Sequence, residues 1–241
     1  MPPKTIDVSI IIPTLNEEKN IVGCLTALRD QDFSGHYEII VADADSTDAT
    51  LEIARSYQCV VVSGGLPATS RNNGARVAKG ELLFFLDADT VLANGALTKS
   101  LQEFNARNLD IASFCLHPYP EKKLSYFLIN TFYNKLIIFM EKMWPYYAMA
   151  ALVKKDIFDA LQGFDESIRL AEDMDFARRA TRYGRFGIIR SVEIFFSDRR
   201  FVKEGWVRLG VKYFLCGLHE ILIGPVRSDI FNYRFNHYKE E

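Results

Sequence analysis

Leu82-Leu83-Phe84-Phe85-Leu86 is an unbroken apolar run, closed at once by Asp87-Ala88-Asp89. A run of this length with no polar face predicts a strand covered on both sides, over Glu81 to Leu86. Two acids one residue apart at its end repel each other unless a cation lies between or beside them. Hard divalent cations with oxygen ligands meet that need, and Mg²⁺ is commonly held by one or two carboxylates plus substrate phosphates. A helix cap is the other use of an acid after a strand, and it fits this pair less well than a metal.

Three upstream runs have the same character. Val8-Ser9-Ile10-Ile11-Ile12 is broken by Pro13-Thr14-Leu15-Asn16, Tyr37 to Ala42 by a turn over Asp43 to Asp48, and Cys59 to Val62 forms a third strand. Helical spacing at Ile21, Leu25 and Leu28 predicts a helix over Glu17 to Arg29, with others over Ala49 to Tyr57 and Ala68 to Ala78. Strands alternating with helices of about ten residues mean βαβ units and a mostly parallel sheet. Ligands of such sheets sit beyond the carboxyl ends of the strands. Asn16-Glu17, Asp43-Ala44-Asp45 and Asp87-Ala88-Asp89 all stand there. For Asn16 and Asp48, capping a helix and touching a ligand are level alternatives. No G-x-x-x-x-G-K-[ST] follows a strand and no G-x-G-x-x-G follows the first, so a bound nucleotide must be held by side chains and a metal.

The whole chain, 241 residues with a formal net charge of -2, has the composition of a globular protein and none of the basic excess of a nucleic-acid binder. Cys24, Cys59, Cys115 and Cys216 are far apart and read as reduced core residues. No apolar leader follows Met1 and no stretch of about 18 apolar residues occurs. A cytoplasmic location is the expectation, with a peripheral position on the cytoplasmic face of a membrane as its variant. Aromatic residues gather in the later part. Leu124 to Trp144 is apolar on most of its circumference, with a narrow polar stripe through Asn130, Thr131, Asn134, Lys135, Glu141 and Lys142, and reads as a core helix. Trp206 to Ile223 is amphipathic, with Arg208, Lys212 and His219 off its apolar side. It suits either an interfacial helix near anionic lipid or one packed on the sheet.

Taken together, Pro13-Thr14-Leu15-Asn16-Glu17, Asp43 to Asp48, Arg71-Asn72-Asn73-Gly74, Phe85 to Asp89, Gly163-Phe164-Asp165-Glu166 and Ala171-Glu172-Asp173-Met174-Asp175 stand in the order and spacing of a known family. Over residues 8–190 the chain resembles the family 2 glycosyltransferases of the GT-A fold. The resemblance implies a Rossmann-like α/β fold as one domain over 1–241. Residues 8–110 would hold the nucleotide-sugar and 111–200 the acceptor, with 201–241 an aromatic-rich amphipathic extension. It implies an inverting, metal-dependent hexosyltransferase using a nucleotide-sugar, typically UDP-linked, on a glycan or lipid-linked acceptor.

Residue by residue, Pro13, Thr14, Leu15 and Glu17 would border the base and ribose, and Asp43 would accept a hydrogen bond from the base. Arg71 would lie beside the nucleotide, Asp87 and Ala88 beside the ribose. Asp89, with Asp87, would hold Mg²⁺ or Mn²⁺. Asp173 would be the general base, with Glu172 orienting it or the acceptor. The family often has two adjacent acids at the second strand end; here Ala44 follows Asp43, which loosens the link to a particular donor. An N-terminal helical turn whose acids complement the dipole is the other reading of Glu172 to Asp175. Arg199 or Arg200 fits a phosphate clamp or a solvated turn equally, and His219 and His237 are weak candidates as metal ligands.

Beside a catalytically silent nucleotide-sugar binding or scaffolding protein, two other readings compete. One is a polyprenyl-phosphate glycosyltransferase using a GDP-sugar. The other is a phosphohydrolase, because Leu86-Asp87-Ala88-Asp89-Thr90-Val91 also matches the D-x-D-x-T loop of haloacid dehalogenase-like enzymes, whose first Asp attacks phosphorus. That chemistry expects a lysine after a later strand, for which Lys154-Lys155 is the only candidate.

Overall fold

The computed structural model describes residues 5–143, 145–146 and 148–231; Trp144, His237 and the last part of the extension lie outside them. β1 (Val8–Thr14), β2 (Tyr37–Asp43), β3 (Val60–Ser63) and β4 (Leu82–Leu86) pair in parallel in the order β3-β2-β1-β4. Their β-branched and aromatic side chains are covered on both faces, as Ile10, Ile11, Phe84 and Phe85 illustrate at no more than 1% exposure. α1 (Glu18–Arg29), α2 (Thr50–Ser56) and α3 (Pro67–Val77) supply the crossovers. Gly74 lets α3 close on β1, since a Cβ there would stand 2.4 Å from Ile11 Cγ2.

Past the two acids, β5 (Thr90–Leu92) and α4 (Ala96–Ala106) lead into β6 (Ile111–Tyr119). The sheet then continues through β7 (Ala150–Lys154), antiparallel to β4 and β6, and β8 (Phe186–Ser197), parallel to β6, with β5 as the far edge. The result is an eight-stranded, mostly parallel sheet, the α/β arrangement expected. The first two strands run further than the sequence suggests. Pro13 and Thr14 stay in register with Ala42 and Asp43, because the missing Pro13 N–H costs a strand little at its end.

The later helices depart from expectation. In place of one core helix over Leu124 to Trp144 there are α5 (Lys123–Ile129), a π turn (Asn130–Asn134) and α6 (Lys135–Met140). The face that meets the protein combines Ser125, Ile129 and Ile137 with Asn134 of the polar stripe, while Lys135 and Lys142 of that stripe are exposed. Beyond Ser113, β7 no longer pairs with β6, and the buried Asn134 amide takes its place: it accepts from Leu116 N at 2.8 Å and donates to Leu116 O at 2.9 Å. Glu141 likewise receives the guanidiniums of Arg107 and Arg190. Leu124, Phe127, Phe132, Leu136, Phe139 and Met143 are left 50–76% exposed. The core reading holds for Ile129 and Ile137 and fails for the large apolar side chains left exposed, because the fold turns Asn134 and Glu141 inward to partner backbone and charge that must not be buried alone.

After β7 come α7 (Lys155–Ala160) and α8 (Glu172–Ala180), then, after β8, α9 (Arg199–Glu204) and α10 (Trp206–Leu222).

Candidate active site

Every strand-end group singled out above lies along one edge of the sheet. β1 sits between β2 and β4, with Thr14 level with Asp43 and Ile11 level with Phe85. Asp43 is buried and held from three directions. Thr14 Oγ1 donates to it at 2.8 Å, Ser46 N at 2.8 Å and Ser46 Oγ at 2.6 Å. An ionised carboxylate has room for about four hydrogen bonds, so capacity for one more donor remains. Asn16 adopts a left-handed backbone, φ 55°, a conformation asparagine tolerates better than most residues. Its Oδ1 accepts from Thr47 N at 2.9 Å. Asp48 accepts from the first amide of α1, Glu18 N, at 3.1 Å and from Thr50 N at 3.0 Å, which is a capping use of the side chain. Pro13 and Leu15 are half-buried beside Thr14, and Asp45 is exposed.

The loop after β4 is pinned by its backbone. Asp87 N donates to Met149 O at 2.9 Å, Thr90 Oγ1 to Asp87 O at 2.6 Å, and Ser197 N to Asp89 O at 3.0 Å. Ala88 buries its methyl in the core at 4% exposure, so only its backbone faces the edge. Asp87 and Asp89 are thereby directed into the same cleft as Glu17. Burial, and then the charges of Glu17 and Asp87, push the Asp89 carboxyl up to about 7, with Arg199 pulling the other way. Burial likewise raises Asp87 and Glu17, against the opposing pull of Arg71 and Arg199 respectively. Carboxyls crowded this way gain from a cation. Part of one is already present: Arg199 Nη2 bonds both oxygens of Glu17 at 3.0 and 2.8 Å and lies 3.6 Å from Asp89 Oδ2.

Among the described residues no group of three or more His, Cys, Asp or Glu is arranged to hold a metal. A site completed by substrate phosphates needs fewer protein ligands, and the donors here, carboxylate oxygens alone, are of the hard type that Mg²⁺ and Mn²⁺ take. The residues fit such an ion. Asp87 Oδ1 is engaged by Arg71, which leaves Asp89 the more available ligand.

Arg71 joins this cleft to the chain's second acidic group. At 5% exposure on α3, it donates to Asp87 Oδ1 at 3.0 Å and to Glu172 Oε1 at 2.5 Å, over the ring of Phe164. Its neighbour Asn72 welds α3 to the Gly163-Phe164 segment. Asn72 Nδ2 donates to Phe164 O, and Phe164 N donates to Asn72 Oδ1, each at 2.9 Å. Gly163 is required there by φ +74° and by space, since a Cβ would come within 2.4 Å of Asn72 Oδ1. Glu172 and Asp173 then open α8 after Ala171, whose φ of 62° is unusual for a residue with a Cβ. Burial and the adjacent Glu172 hold the Asp173 carboxyl well above its usual value, with Arg71 opposing. Asp175 instead pairs with Arg179 at 2.6 Å, inside α8.

Other candidates fall outside this arrangement. His219 Nδ1 meets Gly224 O at 3.0 Å, closing the end of α10, and Arg200 pairs with Glu204 at 3.0 Å. Lys154 stands opposite Leu82, at the start of β4, and binds Asp110 at 2.7 Å. It lies at the wrong end of the strand to serve a phosphohydrolase built on Asp87. Sequence reasoning missed Asn72, Ser46 and the Tyr133–Tyr146 pair, whose rings meet edge to face at 5.8 Å. Asn72, beside Arg71, and Ser46, between Asp43 and Asp48, carried a local signal; the tyrosine pair carried none.

Residues 9–162 match the family model described as glycosyl transferase family 2, and the chain belongs to that family. A curated relative is the poly(ribitol-phosphate) beta-N-acetylglucosaminyltransferase TarS of Staphylococcus aureus, 27% identical over 209 residues, covering 80% of this chain and 35% of TarS. The chain thus spans about a third of that relative's length. A solved structure of TarS residues 1–349 with UDP-GlcNAc superposes with a TM-score of 0.66 at 23% identity, over 80% of this chain and 58% of the other. A Campylobacter jejuni undecaprenol-linked beta-1,3-glucosyltransferase is 31% identical over 117 residues, 45% of this chain and 38% of that one. The mannosyltransferase PcManGT of Pyrobaculum calidifontis, solved with GDP-Man and Mn²⁺, also gives a TM-score of 0.66, at 23% identity over 80% and 57% of the two chains. These likenesses establish the GT-A fold.

Proposed function

We propose that the chain transfers a hexose, with inversion, from a UDP-sugar to a hydroxyl on a glycan or lipid-linked acceptor. The observation that carries this reading is the double engagement of buried Arg71, which ties the metal-type acid Asp87 to Glu172, the neighbour of Asp173. Asp89, with Asp87 beside it, would hold Mg²⁺ or Mn²⁺. The bound ion would offset the charge growing on the departing diphosphate.

The remaining steps belong to the protein. Asp43 has capacity for one N–H of the base, with Pro13, Thr14, Leu15 and Glu17 lining the same edge. Arg199, already 3.6 Å from Asp89, is a cation within reach of the diphosphate. Asp173 accepts the proton of the acceptor hydroxyl, whose oxygen bonds to the anomeric carbon from the face opposite the diphosphate. The old bond from that carbon breaks and its electron pair leaves with the nucleoside diphosphate. A carboxyl raised by burial is the stronger base for that task. The polymer and undecaprenol-linked acceptors in the relatives' names support a glycan or lipid-linked acceptor here, and with it a peripheral place at a membrane. A GDP-sugar is the second reading of the donor, favoured by the GDP-Man and Mn²⁺ in the Pyrobaculum neighbour.

Thermal shift against UDP-, GDP- and dTDP-sugars, each with Mn²⁺ and with EDTA, tests the donor. Ligand at about 100 times its Kd adds roughly 2.7 kcal/mol to native stability. Stabilisation by UDP-sugar that EDTA removes is the expected result; stabilisation by none of the three overturns the donor reading.

A further inference from the structure

Two helical segments of this chain bury a few side chains, apolar and polar alike, and leave most of their large apolar ones exposed. α10 buries Leu209, Cys216 and Glu220, and leaves Val207, Val211, Phe214, Leu218, Ile221 and Leu222 39–81% exposed. α5, the π turn and α6 bury Asn134 while Phe127, Phe132 and Phe139 stand out. A helix that packs only against its own protein does the reverse, and exposed apolar surface of this extent marks an interaction site. The segments adjoin. Asp198, at the entry to α9, receives Lys122 Nζ at 3.3 Å and Ser125 Oγ at 3.4 Å from the start of α5. They also share a neighbour. The charge of Asp173 helps raise the phenols of Tyr133 and Tyr146 and also the thiol of Cys216.

Charge identifies what would cover these faces. Residues 121–143 and 199–223 together carry nine lysines and arginines against four acids, in a chain whose net charge is -2. Two of those acids, Glu141 and Glu220, are turned inward, whereas Lys123, Lys135, Lys142, Lys203 and Arg208 are exposed. Apolar side chains fringed by long cationic ones suit a surface that offers hydrocarbon beneath negative headgroups. No helix among the described residues is long and apolar enough to cross a membrane.

We propose that α5–α6 and α10 form one docking surface for an anionic phospholipid bilayer. The binding itself is independent of the donor reading. Its consequence, delivery of a lipid-linked acceptor to Asp173, rests on the proposed function.

Co-sedimentation of the chain with phosphatidylcholine vesicles, with and without phosphatidylglycerol, tests it. The double variants Phe127→Glu/Phe139→Glu and Phe214→Glu/Leu218→Glu are compared with Val22→Glu, an exposed site on α1. Circular dichroism checks folding, and UDP-sugar turnover without vesicles is measured separately. Wild type and Val22→Glu are expected to sediment with the anionic vesicles, less so as salt rises. Each double variant should partition at least about tenfold more weakly. Wild type that stays in solution with both vesicle types overturns the proposal, as do double variants that bind like wild type. Light scattering is read in parallel. A dimer that either double variant dissociates, without vesicle binding, would assign the face to a second copy of the chain.

Discussion

The edge of the parallel strands and the helices of the later part treat polar groups in opposite ways. At the strand edge, carboxylates gather at the site and each is restrained. Asp43 takes three hydrogen bonds from Thr14 and Ser46, and Asp87 is held by Arg71 and by its own backbone. In the helices three polar side chains, Asn134, Glu141 and Glu220, are turned inward and many large apolar ones are left outside. Asn134 and Glu141 are well partnered there, but neither carboxylate oxygen of buried Glu220 has a hydrogen bond, and Arg178 Nη2 lies 3.8 Å away. The first region holds the groups assigned to the donor in the proposed function; the second leaves apolar side chains exposed, the face proposed to dock.

The largest expected effect falls on the edge. Asp173→Asn removes the proton acceptor with little change in shape, so turnover should drop by about 10²–10⁴-fold while donor affinity, read by calorimetry, stays within error. A variant that retains half of its turnover would remove Asp173 from the chemistry. Stability should separate the regions next. Arg71→Met leaves buried Glu172 and half-buried Asp87 without their cation, at a cost of about 3–5 kcal/mol. Phe139→Ser, at a ring 76% exposed, should move stability by about 0.5 kcal/mol or less. Urea denaturation measures both, and similar losses for the two would erase the contrast.

Gly163→Ala tests the joint between them. It places a methyl on a left-handed backbone against Asn72, with an expected loss of about 1–3 kcal/mol. Because Asn72 neighbours Arg71, turnover should fall along with the unfolding midpoint. Unchanged turnover in the folded variant would show that the weld does not set the site.

The smallest effect is a pH slope in the helical region. Burial pushes the Glu220 carboxyl from its ordinary 4.5 up to about 7. Between those values the folded protein holds a proton that the unfolded chain has released. The stability that proton provides is therefore full below about 4.5 and lost as pH rises through about 7. Glu220→Gln should flatten that part of the melting-temperature profile from pH 5 to 8. A slope identical to wild type would show that other buried carboxyls carry it.

The parallel half-sheet was legible because its strands are short, continuous and apolar, and because acids at strand ends have few structural uses. Those features are local. The role of Arg71 was legible only in part. Sequence order put it near the nucleotide, but its bonds to Asp87 and Glu172 span 16 and 101 positions and follow from α3 and α8 meeting at the sheet edge. The reading of 124–144 failed for a physical reason. Apolar content shows that a helix has a greasy face but not which face the rest of the fold needs, and that was decided by the open edge of β6 at Leu116.

By itself, the sequence determined the alternation of strands and helices, the edge on which the strand-end acids gather, and the family, since each depends on residue type and spacing along the chain. Tertiary structure alone decided which acids share a cation, that Arg199 reaches Glu17 and Asp89, and that two aromatic helices point outward. Charges interact through space, where one guanidinium can hold two carboxylates far apart in sequence, and burial is a property of the surroundings.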